Sequence, residues 1–281
     1  MPGASRPAPA KINLTLHVTG QRADGYHLLD SLVVFTEAGD HVSAEDGAGL
    51  TLRVTGPRAP ALADEGDNLV LRAARLMGAA DVALTLDKRL PVASGMGGGS
   101  SDAAATLHLL AERLGRPVPD TEALMRLGAD LPVCLAAPAP QRMRGLGEQV
   151  DPAPGVPPLW LVLVNPGQGL STPAVFKALT RKDNPPMPPT LPRFRDTHGF
   201  VTWLAAQRND LQAPAIRLVP EIDRILSELA QQPGCLLARM TGSGATCFGV
   251  FDSATTRDAA AGALRRDARY VAATRSFGAV S

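Results

Sequence analysis

The chain has 281 residues, 45% hydrophobic and 20% charged, with a formal net charge of +1. That is material for one large or two modest globular domains, and it excludes the clustered basic face that nucleic acid requires. Aromatic residues make up only 4%, too few for platforms that stack single strands, and no stretch approaches the roughly 18 apolar residues of a membrane span.

Residues Met1–Pro9 lack the apolar centre of a signal peptide. The three cysteines, Cys134, Cys235 and Cys247, are widely spaced with no CxxC pair. They read as buried thiols, not a disulfide or zinc framework, and a cytoplasmic protein is expected. Arginine outnumbers lysine 24 to 4, the lysines being Lys11, Lys88, Lys177 and Lys182.

In chain order, Lys11–Val18 alternates apolar and polar residues, as a half-buried strand does. A turn is expected over 20–25, a short apolar strand at 32–36 and broken β-rich pieces over 42–54. Asp67-Asn68 puts an N-cap candidate in front of a helix over 69–77. A strand follows at 82–86. The Ala- and Leu-rich stretch from Ser101 to Leu114 predicts a strong helix, and 121–127 another, capped by Asp120 or Thr121. Residues 159–164 form a near-continuous apolar strand. Residues 181–197 hold five prolines and no periodicity, which predicts a long loop or lid. Three helical stretches lie between 198 and 231. Strands at 236–241 and 246–251 flank a Gly-Ser-Gly turn, and a helix at 258–266 and a strand at 270–274 close the chain. Strands in pairs with helices between them indicate α+β and two lobes, with a boundary in the Pro/Gly-rich run 151–158.

Residues 91–101 read Pro91, Val92, Ala93, Ser94, Gly95, Met96, Gly97, Gly98, Gly99, Ser100 and Ser101. Four glycines in five positions let backbone approach a ligand closely. The helix that follows turns its free N–H groups and dipole back into this loop, which makes a pocket for phosphate. The loop is neither a Walker A motif, having no Gly-Lys-Ser/Thr, nor a Rossmann fingerprint, since Ser100 stands where the third glycine is needed. A flexible linker is the competing reading; linkers do not usually join a strand to a strong helix.

Three segments together resemble the GHMP kinases: Pro7–Leu14, the loop 91–101 with Asp102–Ala105, and Arg239–Phe248. The segments Asp24-Gly25-Tyr26-His27 and Leu29–Leu32 are similar to the subfamily whose acceptor carries a cytidine diphosphate. Asn68-Leu69, Leu127–Pro132, Gly145–Glu148 and Asn209-Asp210-Leu211 extend the resemblance over nearly the whole chain. It implies an N-terminal lobe of the ribosomal-protein-S5 type (1–155) and a ferredoxin-like C-terminal lobe (156–281). It implies transfer of the γ-phosphoryl of ATP, with Mg²⁺, to the 2-hydroxyl of a methylerythritol linked to cytidine diphosphate, a step of non-mevalonate isoprenoid synthesis. Other GHMP acceptors, homoserine or mevalonate, and a catalytically silent ligand-binding relative are the alternatives.

The same resemblance places Lys11 and Asp130 at the acceptor hydroxyl, Asp130 as general base and Lys11 as charge stabiliser. It places Asn68 with the loop 91–101 on the nucleotide, and Asn13, Tyr26, His27 and Phe176 on the cytidine, with Tyr26 and Phe176 sandwiching the base. Ser101 is a candidate Mg²⁺ ligand through its hydroxyl, the other ligands being unassigned. Cys134 is expected in the pocket wall near the acceptor, His17 as a structural residue, and the 242–244 turn as a support of the phosphate loop. A monomer or weak homodimer is expected.

Overall fold

The structure, a computed structural model, describes residues 4–63, 66–266 and 268–278. Strands β1 (Ala4–Asn13) and β2 (His17–Gln21) lie along one edge of β3 (His27–Asp46). Farther along come β4 (Thr51–Thr55) and helix α1 (Leu69–Leu76), whose first turn is capped where Asn68 Oδ1 accepts from Val70 N at 2.9 Å. The chain crosses through α1 into β5 (Val82–Asp87), parallel to β4. Helices α2 (Gly98–Leu114), α3 (Thr121–Leu127) and α4 (Leu131–Leu135) precede the hairpin of β6 (Gln141–Gly145) and β7 (Gln149–Pro152). The 20-residue β3 is the hub of the seven-stranded sheet, holding β5 and β6 on its second edge.

Three expectations are corrected here. The short strand at 32–36 is the middle of β3, which runs on because Asp40, past the expected end, is buried and paired with β1. The helix expected from Ser101 starts at Gly98, since Gly97 at φ +61° caps it in the left-handed region that glycine adopts freely. The hairpin β6–β7 has no counterpart in the sequence reading, its arginine-rich strand lacking a β-branched signature.

Beyond it, β8 (Trp160–Asn165), α5 (Thr172–Lys177), α6 (Thr197–Ala205), α7 (Gln212–Leu218), α8 (Glu221–Ala230), β9 (Cys235–Met240), β10 (Cys247–Phe251), α9 (Ala254–Leu264) and β11 (Tyr270–Arg275) complete the chain. Helix α9 begins at Ala254, ahead of the expected 258, because Ser253 Oγ accepts from Thr256 N and caps it. The four strands form an antiparallel sheet in the order β11-β8-β10-β9. Antiparallel pairing with helices set to one side makes the chain α+β, as expected.

Strand β8 explains its own apolar run. Leu161 and Leu163 face β1 and β3 in a core with Ile12, Val34 and Phe248, while Val162 and Val164 share the other core with Ala261 and Leu264 of α9 and with Ile222 and Ile225 of α8. A strand buried on both faces has no polar alternation to show. A separate core packs Ala73 of α1 and Leu107 of α2 on Phe35 and Leu84 of the larger sheet.

Two polar latches join the sheets. The Arg239 guanidinium, 6% exposed, donates to Leu14 O at 2.9 Å and Gln207 O at 2.7 Å; burial pulls its pKa down to about 10. Asp210 accepts from Val18 N at 2.7 Å, and Asn209 Nδ2 donates to Met240 O and Gly242 O. Among the described residues no helix is long and apolar enough to cross a membrane.

Candidate active site

A groove of about 590 Å³ opens between the two sheets, and the glycine loop forms one of its walls. Pro91, Val92, Ala93, Ser94 and Gly95 line it, as do Gly97, Gly98, Gly99, Ser100 and Asn68. The loop is held from behind. Met96 is fully buried and its carbonyl accepts from Lys11 N at 2.9 Å, while Ser94 O accepts from Thr246 N at 3.2 Å. A Cβ on Gly95 would lie 2.6 Å from Gly244 O, and one on Gly242 would lie 2.5 Å from Gly95 O. The two glycine turns thus meet backbone to backbone, a contact that no side chain could enter. This is how the 242–244 turn supports the loop.

The N–H groups of Gly98, Gly99 and Ser100 lie in the first turn of α2, where intrahelical acceptors are lacking. They open a helix of 17 residues, whose dipole favours an anion in the groove.

Lys11 and Asp130 come together, as expected: Nζ lies 2.7 Å from Oδ2. Lys11 sits just before the end of β1, its side chain 5% exposed and packed across Gly97, whose Cβ would stand 3.1 Å from Lys11 Cε. Asp130 takes the cap position of the short α4 without capping it. Its carboxylate, about one-third exposed, is left for Lys11 and for the groove that both residues line.

Asn13 also lines the groove. Its N–H donates to Thr241 Oγ1 at 2.8 Å, its Nδ2 to Ser31 Oγ at 2.7 Å, and its buried Oδ1 has no protein partner. An unsatisfied buried amide oxygen facing a groove is an acceptor kept for a ligand or water. Phe176, from α5, lines the groove, and His27 stacks on it with ring centroids 4.6 Å apart. Burial lowers the His27 pKa, with a further push from Lys182, so its ring is neutral at neutral pH.

Five sequence expectations are not met in this arrangement. Met96 is fully buried behind the loop and does not line the groove, and His27 does not line it either, reaching it only through its stack on Phe176. Tyr26 is 65% exposed and off the groove; the ring against Phe176 is that of His27. Ser101 is buried, its hydroxyl donating toward Cys134 Sγ at 3.5 Å, away from the groove that Ser100 lines. Cys134 is likewise behind the wall, its thiol pushed up to about 12 by burial. His17 is structural, as expected: it is buried on β2, and burial, then Arg208, lowers its pKa.

Sequence reasoning missed a second charged cluster beside the groove. Lys88 Nζ lies 2.6 Å from Asp40 Oδ2 and 2.7 Å from Asp102 Oδ2, and all three side chains are at most 3% exposed. Burial pushes the Asp102 carboxyl up against the pull of Lys88. Burial alone would lower the Lys88 pKa, but Asp102 and Asp40 raise it overall. The signal was a lysine in an arginine-rich chain, directly after a strand. Leu62, Leu69, Thr172 and Ser243 also line the groove; nothing in the local sequence marked Leu62 or Thr172.

A glycine turn at a helix N-terminus, with an ion pair beside it in a groove between the two sheets, is the arrangement of a small-molecule kinase. The model of the GHMP kinase N-terminal domain matches residues 68–137 and that of the GHMP kinase C-terminal region residues 198–269. The chain is 60% identical over 259 residues to a 4-diphosphocytidyl-2-C-methyl-D-erythritol kinase of Cereibacter sphaeroides, covering 92% of this chain and 93% of that one. It is 56% identical to the enzyme of that name from Dinoroseobacter shibae, over 92% and 88%. A crystal structure of 4-(cytidine 5'-diphospho)-2C-methyl-D-erythritol kinase superposes with a TM-score of 0.76 at 32% identity, covering 98% of this chain and 100% of that one. The mevalonate kinase of Methanococcus jannaschii, at 10% identity and a TM-score of 0.67, shares the fold. The chain belongs to the GHMP kinases, which use ATP as the phosphoryl donor.

Proposed function

We propose that this chain transfers the γ-phosphoryl group of ATP to the 2-hydroxyl of 4-diphosphocytidyl-2-C-methyl-D-erythritol. The observation that carries the reading is the Lys11–Asp130 pair, 2.7 Å apart, in the groove that the first turn of α2 also lines. Phosphoryl transfer needs positioning and charge stabilisation more than covalent help from the protein. The Gly98, Gly99 and Ser100 amides hold the phosphates, and Leu62, Leu69 and Val92 offer an apolar wall to the adenine. Asp130 accepts the proton of the acceptor hydroxyl as its oxygen attacks the γ-phosphorus. Lys11 neutralises charge that builds on the transferring group.

Mg²⁺ bound together with ATP would supply charge neutralisation to the phosphates at this site. Ser100 and Asp130 are oxygen-bearing side chains of the same groove that could complete its shell.

The names of relatives at 56–60% identity support the cytidine-bearing acceptor. So do the stacked rings of His27 and Phe176 and the free acceptor Asn13 Oδ1. The base lies against the Phe176 side, with the neutral His27 ring available as a hydrogen-bond partner.

The test is transfer of labelled γ-phosphate from ATP to each candidate acceptor. Efficient phosphorylation of the cytidine-diphosphate-linked acceptor, and poor phosphorylation of free methylerythritol, homoserine and mevalonate, is expected. Equal use of homoserine or mevalonate would overturn the acceptor assignment.

A further inference from the structure

We infer that Asp102, acting through Lys88, is a positioning residue that sets the first turn of α2 for the phosphates of ATP. The inference rests on the reading of the glycine loop and that turn as the phosphate groove.

One ammonium ties three elements together. Lys88 follows β5, Asp40 lies within β3 and Asp102 is the fifth residue of α2. Lys88 is fixed at its backbone as well: its N–H donates to Thr55 O at 2.8 Å, and its carbonyl accepts from Arg58 N at 3.0 Å. Asp40 is fixed by Arg89 N at 2.6 Å and Leu90 N at 2.8 Å, both donating to Oδ1. Asp102 is the member carried by the helix, so the Lys88–Asp102 bond transmits the rigidity of the sheet to α2.

Packing alone does not account for the cluster. Two carboxyl groups and an ammonium are costly to bury together, and apolar residues of like volume stabilise such a core at least as well. Its location supplies a reason. A Cβ on Gly98 would lie 3.1 Å from Lys88 Nζ, so the ammonium sits directly against the first residue of α2. Lys88 and Asp102 also line the groove. The ammonium has three donors and these carboxylates take two; Asp102 Oδ1 has no partner. The cluster therefore holds the ammonium itself, braced by both carboxyl groups, close against the first turn of α2. Lysine suits this place because a compact ammonium fits between two carboxylates below a glycine, where a planar guanidinium fork does not.

Asp102→Ala keeps the balanced Lys88–Asp40 pair but cuts the tie to α2. The KM for ATP should rise roughly tenfold, while the acceptor KM stays within about twofold, measured well below the melting temperature. Asp102→Asn retains an oxygen that accepts from Lys88 and should bring the ATP KM back to within about threefold of wild type. Should Asp102→Ala not fold, Asp102→Ser against Asp102→Asn carries the same comparison. A purely structural role would lower the melting temperature and leave the ATP KM alone. That result, or an equal rise in both KM values, overturns the inference. Gly98→Val is the control on the underlying reading: an unchanged ATP KM there sinks the groove and this inference together. A raised ATP KM in Gly98→Val with none in Asp102→Ala sinks this inference only.

Discussion

Lys11 and Asp130 are separated by 119 positions, and what joins them is the packing of β1 beneath Gly97 and the turn that opens α4. Neither side chain has another ion-pair partner among the described residues, so each depends on the other for charge. Asp130→Asn removes the base while keeping shape, and kcat should fall roughly 100- to 10,000-fold. Lys11→Ala should cost roughly a hundredfold or more in kcat. Because Asp130 is about one-third exposed, water can solvate it once Lys11 is gone, and the melting temperature should change little. Stopped-flow or steady-state turnover beside a thermal melt decides the point; near-wild-type turnover in either variant with ATP still bound would remove that residue from the chemistry. The residue scale also shows where alternation misleads. Lys11, Asn13, Thr15 and His17, the polar half of the first strand-like segment, are all buried. They read as the solvent face of a half-buried strand, but their polar atoms point into the site or its supports.

At the scale of the element, the glycine loop and the strap over 181–196 behave differently from their sequence readings. The glycines suggest backbone open to phosphate. The structure adds that Gly97 Cα faces the Lys11 side chain, so its missing Cβ makes room for that lysine. Gly97→Val is strained at φ +61° and displaces Lys11. Both the ATP KM and kcat should suffer, a pattern that kinetics at varied ATP would separate from a loss of binding alone. The proline-rich stretch reads as a lid, and it is strapped down. Arg142 forms a bidentate pair with Asp30, donates to Pro188 O at 2.7 Å and Pro189 O at 2.9 Å, and Asp30 Oδ2 also takes Met187 N at 2.8 Å. Arg142→Ala leaves Asp30 buried and unpaired, a loss of roughly 3–5 kcal/mol. For a chain of this size that is a fall in melting temperature of about 10 °C, with proteolysis appearing first within 181–196. An unchanged melting curve would show that the strap is held by its apolar contacts instead.

The acceptor belongs to the scale of the whole molecule, because its proposed contacts come from both sheets. Phe176→Ala removes the aromatic wall and should raise the acceptor KM roughly 5- to 150-fold, with the ATP KM little changed. Tyr26→Ala tests whether the exposed tyrosine closes on the base. If it does, the double variant should lose about one to four orders of magnitude in acceptor affinity. If Tyr26→Ala is silent, the base is held by Phe176 and His27 alone. Such remote binding energy also orients the reacting hydroxyl, so kcat should fall with it. Isothermal titration with the cytidine-bearing acceptor and with free methylerythritol measures both parts.

Taken alone, the chain of residues determined the helix behind the glycine loop, the cap at Asp67-Asn68, the apolar strand through Leu161–Val164 and the α+β class. These follow from local periodicity, capping chemistry and glycine's freedom, which need no knowledge of distant neighbours. Motif resemblance added Lys11 and Asp130 as a pair. Only the tertiary structure decided which polar residues turn inward, that His27 rather than Tyr26 lies on Phe176, and that Ser101 faces Cys134 while Ser100 faces the groove. It alone assembled Lys88 with Asp40 and Asp102, from positions 48 and 14 residues away. Ion pairs of that kind act across space and leave no period in the sequence, so they become visible only when the sheet brings their carriers within reach.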